Sequence, residues 1–226
     1  MKKLITLSAL ASTLLVTGLA NAATTTELKV TGVIRPAACV PSFTGGGTVD
    51  YGVIPPNTLS ATAPTALAAK TIPFSVTCDA ATKISLRALD NRKTSIVAGL
   101  AAAATAAGTI PQDHHAFGLG TAGGKNIGVY TVRTVQSSFT ADGTSPDVLT
   151  IRNTDATVFI KTEGGHFHND GGSAKAFGAA GTTTPTAYKT LSGNLAIQVV
   201  IDKTSNLDLT SDINLNGSTT IEVKYL

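Results

Sequence analysis

Residues 71–78 carry the pattern that decides the fold: Thr71-Ile72-Pro73-Phe74-Ser75-Val76-Thr77-Cys78. Apolar and polar side chains alternate along this stretch, and successive side chains of a β-strand point to opposite faces. The stretch is therefore predicted to be a strand with one buried face. Apolar residues at 84, 86 and 88 continue the alternation after a turn at 79–82, which predicts either a hairpin or a single bent strand.

Similar short runs recur along the chain and are separated by Gly, Pro, Asn and Asp, which is typical of an all-β sandwich. Residues 98–107 are nearly all alanine and suit either a short helix or a loop with one or two turns. Glycine-rich segments at 45–47, 118–124, 164–172 and 178–181 are predicted to be surface loops. The predicted strands are 28–34, 48–53, 71–78, 82–90, 127–135, 148–152, 157–161, 194–202 and 219–226.

The chain has two cysteines, Cys39 and Cys78. A redox pair would need closer spacing, and a zinc site would need more ligands. Because the pair follows a stretch at residues 1–22 that has the features of an export signal, described next, we predict one structural disulfide between them. The closed loop of about 40 residues would contribute roughly 4 kcal/mol through chain entropy.

The first 22 residues have the features of a secretory signal peptide. Lys2 and Lys3 form a charged start, residues 4–19 are mostly apolar, and Ala20-Asn21-Ala22 supplies a small-residue cleavage site. The apolar stretch is short and contains several Ser and Thr residues, which argues against a permanent membrane anchor. We expect a signal peptide at 1–22 and no membrane insertion of the mature chain.

Composition restricts the class of protein further. Removal of the signal lowers the net charge from +3 to +1, because the signal carries two lysines and no acidic residue. The remaining basic residues are scattered, so no nucleic-acid partner is expected. The 42% of hydrophobic residues suffices for a core, and residues 23–226 favour one large β domain over two small ones.

The end of the chain is also predicted to be a strand. Residues 213–215 lead into Asn216-Gly217, a two-residue hairpin signal. Ile221, Val223 and Tyr225 then alternate with polar residues almost to the last position. An ordered terminal strand usually pairs within a sheet.

Together these residues resemble the pilin-like subunits of chaperone–usher fimbriae. Such subunits have a signal peptide, a first strand that runs into a cysteine, a second cysteine and a last strand with a penultimate tyrosine. Residues 32–39, Cys78 and Tyr225 match this order. Three further stretches resemble a fimbria-like family of exported Gram-negative proteins that is catalogued as a domain of unknown function: Gly45-Gly46-Gly47-Thr48-Val49-Asp50-Tyr51-Gly52, Asp90-Asn91-Arg92 and Ala116-Phe117-Gly118-Leu119-Gly120.

The resemblance implies an immunoglobulin-like, pilin-like β-sandwich that lacks one strand and therefore has an open groove. A periplasmic chaperone fills this groove first, and the N-terminal extension of a neighbouring subunit replaces it by strand addition. An uncovered apolar groove with free backbone edges aggregates unless a strand pairs with it. The last strand, with Ile221, Val223 and Tyr225 on one face, is expected to line the groove.

The start of the mature chain departs from this pattern. With the first strand at 28–34, which carries Leu28, Val30 and Ile34, only the short polar stretch 23–27 precedes it. Five residues span at most about 17 Å and provide no apolar anchors. Either 28–34 is itself the donor strand, or the chain does not donate and caps a fibre, lies at its tip or completes its own sandwich. We favour the non-donating alternative.

One candidate for a chemical site is Glu163-Gly164-Gly165-His166-Phe167-His168-Asn169-Asp170. On a strand, His166 and His168 would point the same way and offer two imidazole ligands, with Glu163 or Asp170 nearby. His114 and His115 would add ligands only if the fold brings the loops together. We favour an exposed polar loop between glycines, and we assign no metal or cofactor.

Catalysis has no support, because the chain has no Gly-x-Ser-x-Gly elbow and its carboxylates are few and scattered. We expect a non-catalytic structural or accessory subunit of a chaperone–usher-type fimbria, in the periplasm or on the surface of a Gram-negative bacterium. Its expected partners are a periplasmic chaperone, an outer-membrane usher and other fimbrial subunits. The alternative is a solitary, self-completed periplasmic binding protein for a small ligand or metal.

Overall fold

The structure, a computed structural model, describes residues 25–35, 37–152, 158–161 and 164–226. The chain divides into two units, residues 1–35 and 36–226. The predicted signal peptide at 1–22 lies outside the described residues.

The described part of the first unit, residues 25–35, forms no strand. Leu28, Val30 and Ile34 are 88%, 90% and 100% exposed. The prediction of a first sandwich strand at 28–34 is therefore wrong. The alternating pattern is present, but no described strand pairs with it, and an unpaired strand has no ladder of hydrogen bonds to hold it.

The second unit is an all-β structure, with no α-helix among its described residues. Short 3₁₀ turns occur at Thr44–Gly47, Pro56–Thr58, Lys93–Ser95, Leu100–Ala103, Asp113–His115 and Thr204–Asn206. The strands are β1 (Cys39–Phe43), β2 (Thr65–Ala66), β3 (Lys70–Thr82), β4 (Ile84–Asp90), β5 (Phe117–Gly118), β6 (Thr121–Ala122), β7 (Lys125–Asn126), β8 (Gly128–Ala141), β9 (Asp147–Arg152), β10 (Phe159–Lys161), β11 (Ser173–Gly178), β12 (Tyr188–Ile201) and β13 (Thr219–Tyr225). Within the described ranges, no helix has the length and apolar character needed to cross a membrane.

Two antiparallel sheets form a sandwich. The first has the order β1-β3-β12-β8-β5, with β2 paired to β12, and the second has the order β10-β9-β11-β4-β13. The strands β6 and β7 form a separate small pair. The predicted all-β sandwich is confirmed.

The stretch at 71–78 forms the middle of β3, and its alternation matches its burial. Ile72, Phe74 and Val76 are 6%, 2% and 1% exposed. Strand β3 lies in the first sheet and β4 lies in the second, with only Lys83 between them. The hairpin alternative is therefore wrong: the chain crosses from one sheet to the other almost without interruption.

The core between the sheets is built mainly from large apolar side chains. Five of the seven phenylalanines are among the largest fully buried side chains of the described chain: Phe74, Phe117, Phe139, Phe167 and Phe177. Burial of each such side chain contributes roughly 1.5–3 kcal/mol. Few aromatic residues therefore suffice for the core, because those present are placed inside it.

The predicted disulfide is confirmed. Cys39 and Cys78 face each other in the β1–β3 register, and their sulfurs are 2.04 Å apart. The bond thus joins the edge strand of the first sheet to its neighbour. The first strand of the sandwich begins at Cys39, whereas the prediction had placed it before this cysteine.

The predicted terminal strand is confirmed as well. Strand β13 pairs with β4 from Thr219 opposite Asp90 to Tyr225 opposite Ile84.

The predicted hairpin at Asn216-Gly217 is wrong. The Asn216 N–H donates to the carbonyl of Leu119, 2.9 Å away, and residues 213–215 belong to no strand. A Cβ atom on Gly217 would lie 2.5 Å from the ring of Tyr130. Gly217 therefore permits close packing on Tyr130 instead of forming a turn.

Other differences follow from weak local signals. Strand β11 was not predicted, because its sequence Ser-Ala-Lys-Ala-Phe-Gly lacks the β-branched residues typical of strands, although all six residues are buried. Residues 48–53, predicted as a strand, belong to none. The alanine-rich segment forms a single 3₁₀ turn at Leu100–Ala103, which packs with Val129 and Val200 in a small separate cluster.

Candidate functional site

The sandwich unit contains an open groove of about 950 Å³. Its deeply buried lining comes mainly from the first sheet, with Ile72 on β3, Val132 on β8 and Leu195 on β12. Partly exposed apolar residues from two other segments add to the lining, which also includes polar residues such as Asp50, Thr210 and Asp212. The partly exposed apolar residues are Val49, Tyr51 and Ile54 in one segment and Ile213, Leu215 and Ile221 in the other.

The first of these segments, residues 48–54, is anchored to the first sheet by side chains. The hydroxyl of Tyr51 donates to the carbonyl of Ile197, 2.9 Å away. Burial raises the pKa of Tyr51, so its hydroxyl stays protonated and available as a donor. The Lys70 ammonium donates to the carbonyl of Asp50 at 2.7 Å and lies 5.0 Å from the Tyr51 ring. The glycine-rich stretch at 45–52 thus leads into one side of the groove.

The other side of the groove includes the start of β13. This strand is the last in the order of the second sheet, so among the described strands it has a partner on one edge only. Ile221 lines the groove, whereas Val223 and Tyr225 lie outside its lining. Val223 is half-buried, and Tyr225 is 54% exposed. Only one of the three predicted residues on this strand therefore contributes to the groove.

The two remaining family-like stretches meet at a junction between the sheets. The carboxylate of Asp90 accepts the N–H of Arg92 and the N–H of Gly118, both at 2.7 Å. Burial raises the pKa of Asp90, although these hydrogen bonds and the charges of Lys93 and Arg92 oppose the shift. A Cβ atom at Gly118 would lie 2.1 Å from the carbonyl oxygen of Arg92, so only glycine fits there. This junction is structural, and it holds Leu119 in the groove lining.

The four histidines of the chain form a second feature, because the fold brings all of them together. The ring centroids of His114 and His168 are 4.3 Å apart, those of His114 and His115 are 4.0 Å apart, and those of His115 and His168 are 5.2 Å apart. One ring nitrogen from each of these three side chains lies within 4.8 Å of the others. His166 is adjacent, with its ring 5.3 Å from that of His115.

Asn169 connects the two segments that carry these histidines. Its backbone N–H donates to the carbonyl of His114 at 2.8 Å. Its side-chain amide donates to the carbonyls of Asp113 and Ala116, at 3.2 Å and 2.7 Å. Asn169 is 7% exposed, so these bonds are shielded from water and fix His168 beside the Asp113–His115 turn.

Burial keeps two of the imidazoles neutral. It lowers the pKa of His115 to about 3, and the charges of the other histidines and of Lys175 act in the same direction. Burial and the charges of Arg133 and Lys175 lower the pKa of His166 to about 4.

The predicted exposed loop around residues 163–170 is wrong, because His166 is 7% exposed and Phe167 is fully buried. The suggested pairing of His166 with His168 is replaced by the grouping of His168 with His114 and His115. Glu163 lies outside the described residues. The carboxylate of Asp170 accepts the N–H of Gly172 at 2.8 Å and is not part of the three-histidine group.

The fold and the groove define the chain as a disulfide-linked, all-β sandwich protein with an open apolar groove. Residues 28–131 match the family described as "Protein of unknown function (DUF1120)". "Protein GltF" of Escherichia coli (strain K12) is 30% identical over 251 residues, which cover 100% of this chain and 99% of that protein. "Uncharacterized protein YhcF" of the same strain is 28% identical over 230 residues, which cover 92% of this chain and 93% of that protein.

The chain therefore belongs to the DUF1120 family of proteins of unknown function. Membership of a family catalogued as a domain of unknown function is confirmed. The disulfide also indicates an oxidising compartment, as expected for an exported protein.

Proposed function

We propose that this protein is a structural subunit of a chaperone–usher-type fimbria and that it assembles by strand addition. The observation that carries the proposal is the apolar groove bounded on one side by the start of β13. That strand offers an unpaired edge within the described chain, and Ile221 contributes to the groove lining. Apolar pockets beside a free strand edge are what strand addition requires of an acceptor.

The same chain carries a segment suited to be the donor. Leu28, Val30 and Ile34 lie at alternate positions with Gly32 between them, and all three side chains are almost fully exposed. In an extended strand they share one face, which matches the alternating pockets of an acceptor groove. Because the first sandwich strand begins at Cys39, residues 28–34 are available to another molecule. This supports the donor alternative over the non-donating one that we favoured from the sequence.

The donor segment at 28–34 and the acceptor strand β13 also match in length. Strand β13 has seven residues, and 28–34 is a stretch of the same length. Each therefore extends over roughly 20 Å as a strand. The donor segment of one subunit is therefore long enough to pair with β13 of the next subunit, beginning at the part of the strand that borders the groove.

The test uses two exposed valines of the donor segment that differ only in the face they occupy. Val30 is 90% exposed and Val33 is 87% exposed, so neither substitution should disturb the fold of the subunit itself. Val30→Asp would place a charge in the apolar groove of the neighbour, which is costly. Val33→Asp would place the same charge on the opposite face and is the matched control.

We expect the wild-type mature chain and Val33→Asp to form concentration-dependent assemblies after refolding, measured by sedimentation velocity, and Val30→Asp to remain a monomer. Ile221→Asp should block the acceptor groove instead. A refolded mixture of Val30→Asp and Ile221→Asp should then give a dimer, because one functional donor and one functional acceptor remain. If every form, including the wild type, is a monomer that refolds unaided, the proposal fails and a solitary binding protein is the better interpretation.

A further inference from the structure

We propose that His114, His115 and His168 form a binding site for one divalent transition-metal ion that prefers imidazole ligands, such as Zn²⁺. The inference is independent of strand addition, since none of these residues lines the groove. It rests on the convergence of three ring nitrogens from two segments that are distant in the sequence.

The spacing of the nitrogens suits a single ion. They lie within 4.8 Å of one another. Three imidazoles bound to zinc at about 2.0–2.1 Å place their nitrogens roughly 3.4 Å apart. The nitrogens would have to approach one another by up to about 1.4 Å, a distance that rotation about the side-chain torsions can supply.

The backbone around the site is already fixed. Asn169 donates three hydrogen bonds across the two segments, to the carbonyls of Asp113, His114 and Ala116. The N–H of Phe167 donates to the carbonyl of Val132 at 2.9 Å and ties the second segment to β8. Binding therefore does not have to order a loop, and a site that is ordered in advance loses less affinity to conformational entropy.

The composition of the site selects the type of ion. Its three candidate ligands are imidazoles, and the nearby carboxylate of Asp113 already accepts the N–H of Gly99 at 2.8 Å. Mg²⁺ and Ca²⁺ prefer oxygen ligands, whereas imidazole suits zinc, copper and nickel. Because the three ligands are partly exposed, water can reach the fourth position of a tetrahedral ion.

Coordination by His115 would cost one hydrogen bond. The Nδ1 of His115 accepts the N–H of Gln112 at 3.0 Å, which places the proton of the neutral ring on Nε2. Coordination through Nδ1 therefore replaces this hydrogen bond, and coordination through Nε2 requires the proton to move to Nδ1, which also removes the bond.

The experiment is a calorimetric titration of the tag-free mature protein with ZnCl₂ in a buffer that does not bind metals. We expect saturable binding of one Zn²⁺ per chain, tighter binding of Cu²⁺ and no binding of Mg²⁺. His114→Ala and His168→Ala should each weaken Zn²⁺ binding by at least about tenfold, by analogy with the loss seen when a metal's supporting residues are removed. The matched control is Asp170→Asn, which keeps an oxygen for the Gly172 N–H and should bind Zn²⁺ as the wild type does.

A second measurement needs no variant and so does not depend on variant folding. In NMR spectra of the wild-type chain, Zn²⁺ should shift or broaden the ring signals of His114, His115 and His168 more strongly than those of His166. Absence of saturable Zn²⁺ binding would overturn the proposal. So would an affinity within twofold of wild type for a His114→Ala/His168→Ala double variant, or ring signals that do not respond to the metal.

Discussion

The backbone N–H of Cys39 donates a hydrogen bond to the phenol oxygen of Tyr225, 3.0 Å away. Cys39 begins β1 in the first sheet and Tyr225 ends β13 in the second, so the bond joins the edges of the two sheets. It lies directly beside the disulfide that links Cys39 to Cys78. The penultimate tyrosine thus fastens the end of the chain to the cross-linked start of the sandwich.

Removal of the Tyr225 hydroxyl should lower the free energy of unfolding by a small but measurable amount. Tyr225→Phe removes the acceptor, and we expect a loss of about 0.5 kcal/mol in the free energy of unfolding, at the low end for a hydrogen bond because water can reach the N–H. Urea unfolding of the purified protein measures it. Tyr188→Phe is the control, since the Tyr188 hydroxyl makes no hydrogen bond within the described part of the chain, and an equal loss in both variants would contradict the assignment.

The disulfide should contribute more than any other single contact. Its two cysteines are 39 positions apart, and the loop it closes predicts a stabilisation of roughly 4 kcal/mol. We expect the Cys39→Ser/Cys78→Ser double variant to unfold at a much lower urea concentration than the oxidised wild type. Reductant should move the wild type to the position of the variant and leave the variant unchanged. A response of the variant to reductant would show that the effect does not come from this bond.

The junction at Gly118 gives a steric prediction. An alanine Cβ there would overlap the Arg92 carbonyl oxygen, which belongs to the backbone and has no flexible end to move aside. We expect Gly118→Ala to lower the free energy of unfolding by about 2 kcal/mol or more, as overpacking does. Gly32→Ala is the matched control, because nothing lies within 4 Å of the added atom. A melting temperature of Gly118→Ala equal to that of the control would contradict the packing described.

Asp142 gives a prediction for pH. Its carboxylate accepts the N–H groups of Lys189 and Thr190 and the hydroxyl of Thr190, and these bonds lower the pKa of Asp142. The charged form is therefore favoured in the folded state. The resulting stability is complete above the unfolded-state pKa of about 3.9 and is lost as the pH falls through the lower folded-state value.

The variant for this test is Asp142→Asn. Asparagine tolerates the left-handed backbone of this residue, whose φ is 45°, so the comparison isolates the charge. The wild type should be the more stable protein at about pH 6, and its advantage should shrink as the pH is lowered towards about 2. Urea unfolding across this pH range measures the difference, and an advantage that stays constant would contradict the assignment.

Much of the sandwich could be predicted from local patterns. The stretch at 71–78 alternates because one face of β3 is buried, and the same rule located β8, β9, β12 and β13. The rule failed in two cases: where an alternating segment is not buried, and where a buried strand has no alternating pattern. Residues 28–34 alternate although they form no strand, and β11 is buried on both faces and contains no β-branched residue.

The candidate sites were less predictable. The histidines at 166 and 168 stand out as a motif in the sequence. The grouping of His168 with His114 and His115, however, depends on hydrogen bonds such as that from Asn169 to Ala116, 53 positions away. Asn169 itself gave no signal, because an asparagine between a histidine and an aspartate resembles any polar loop. The groove was anticipated only through the resemblance to pilin-like subunits, and Val49 and Ile54 could not be assigned to its lining.

The sequence by itself determined most of the longer strands, the cysteine pair and the position of a strand at the carboxyl end. These are properties of neighbouring residues, since the direction of each side chain follows from the two-residue repeat of an extended backbone. The tertiary structure alone decided which histidines meet and where the groove opens. Both depend on how distant strands pair and on where the chain crosses from one sheet to the other, and strand pairing is fixed by packing of the whole core and not by any local pattern.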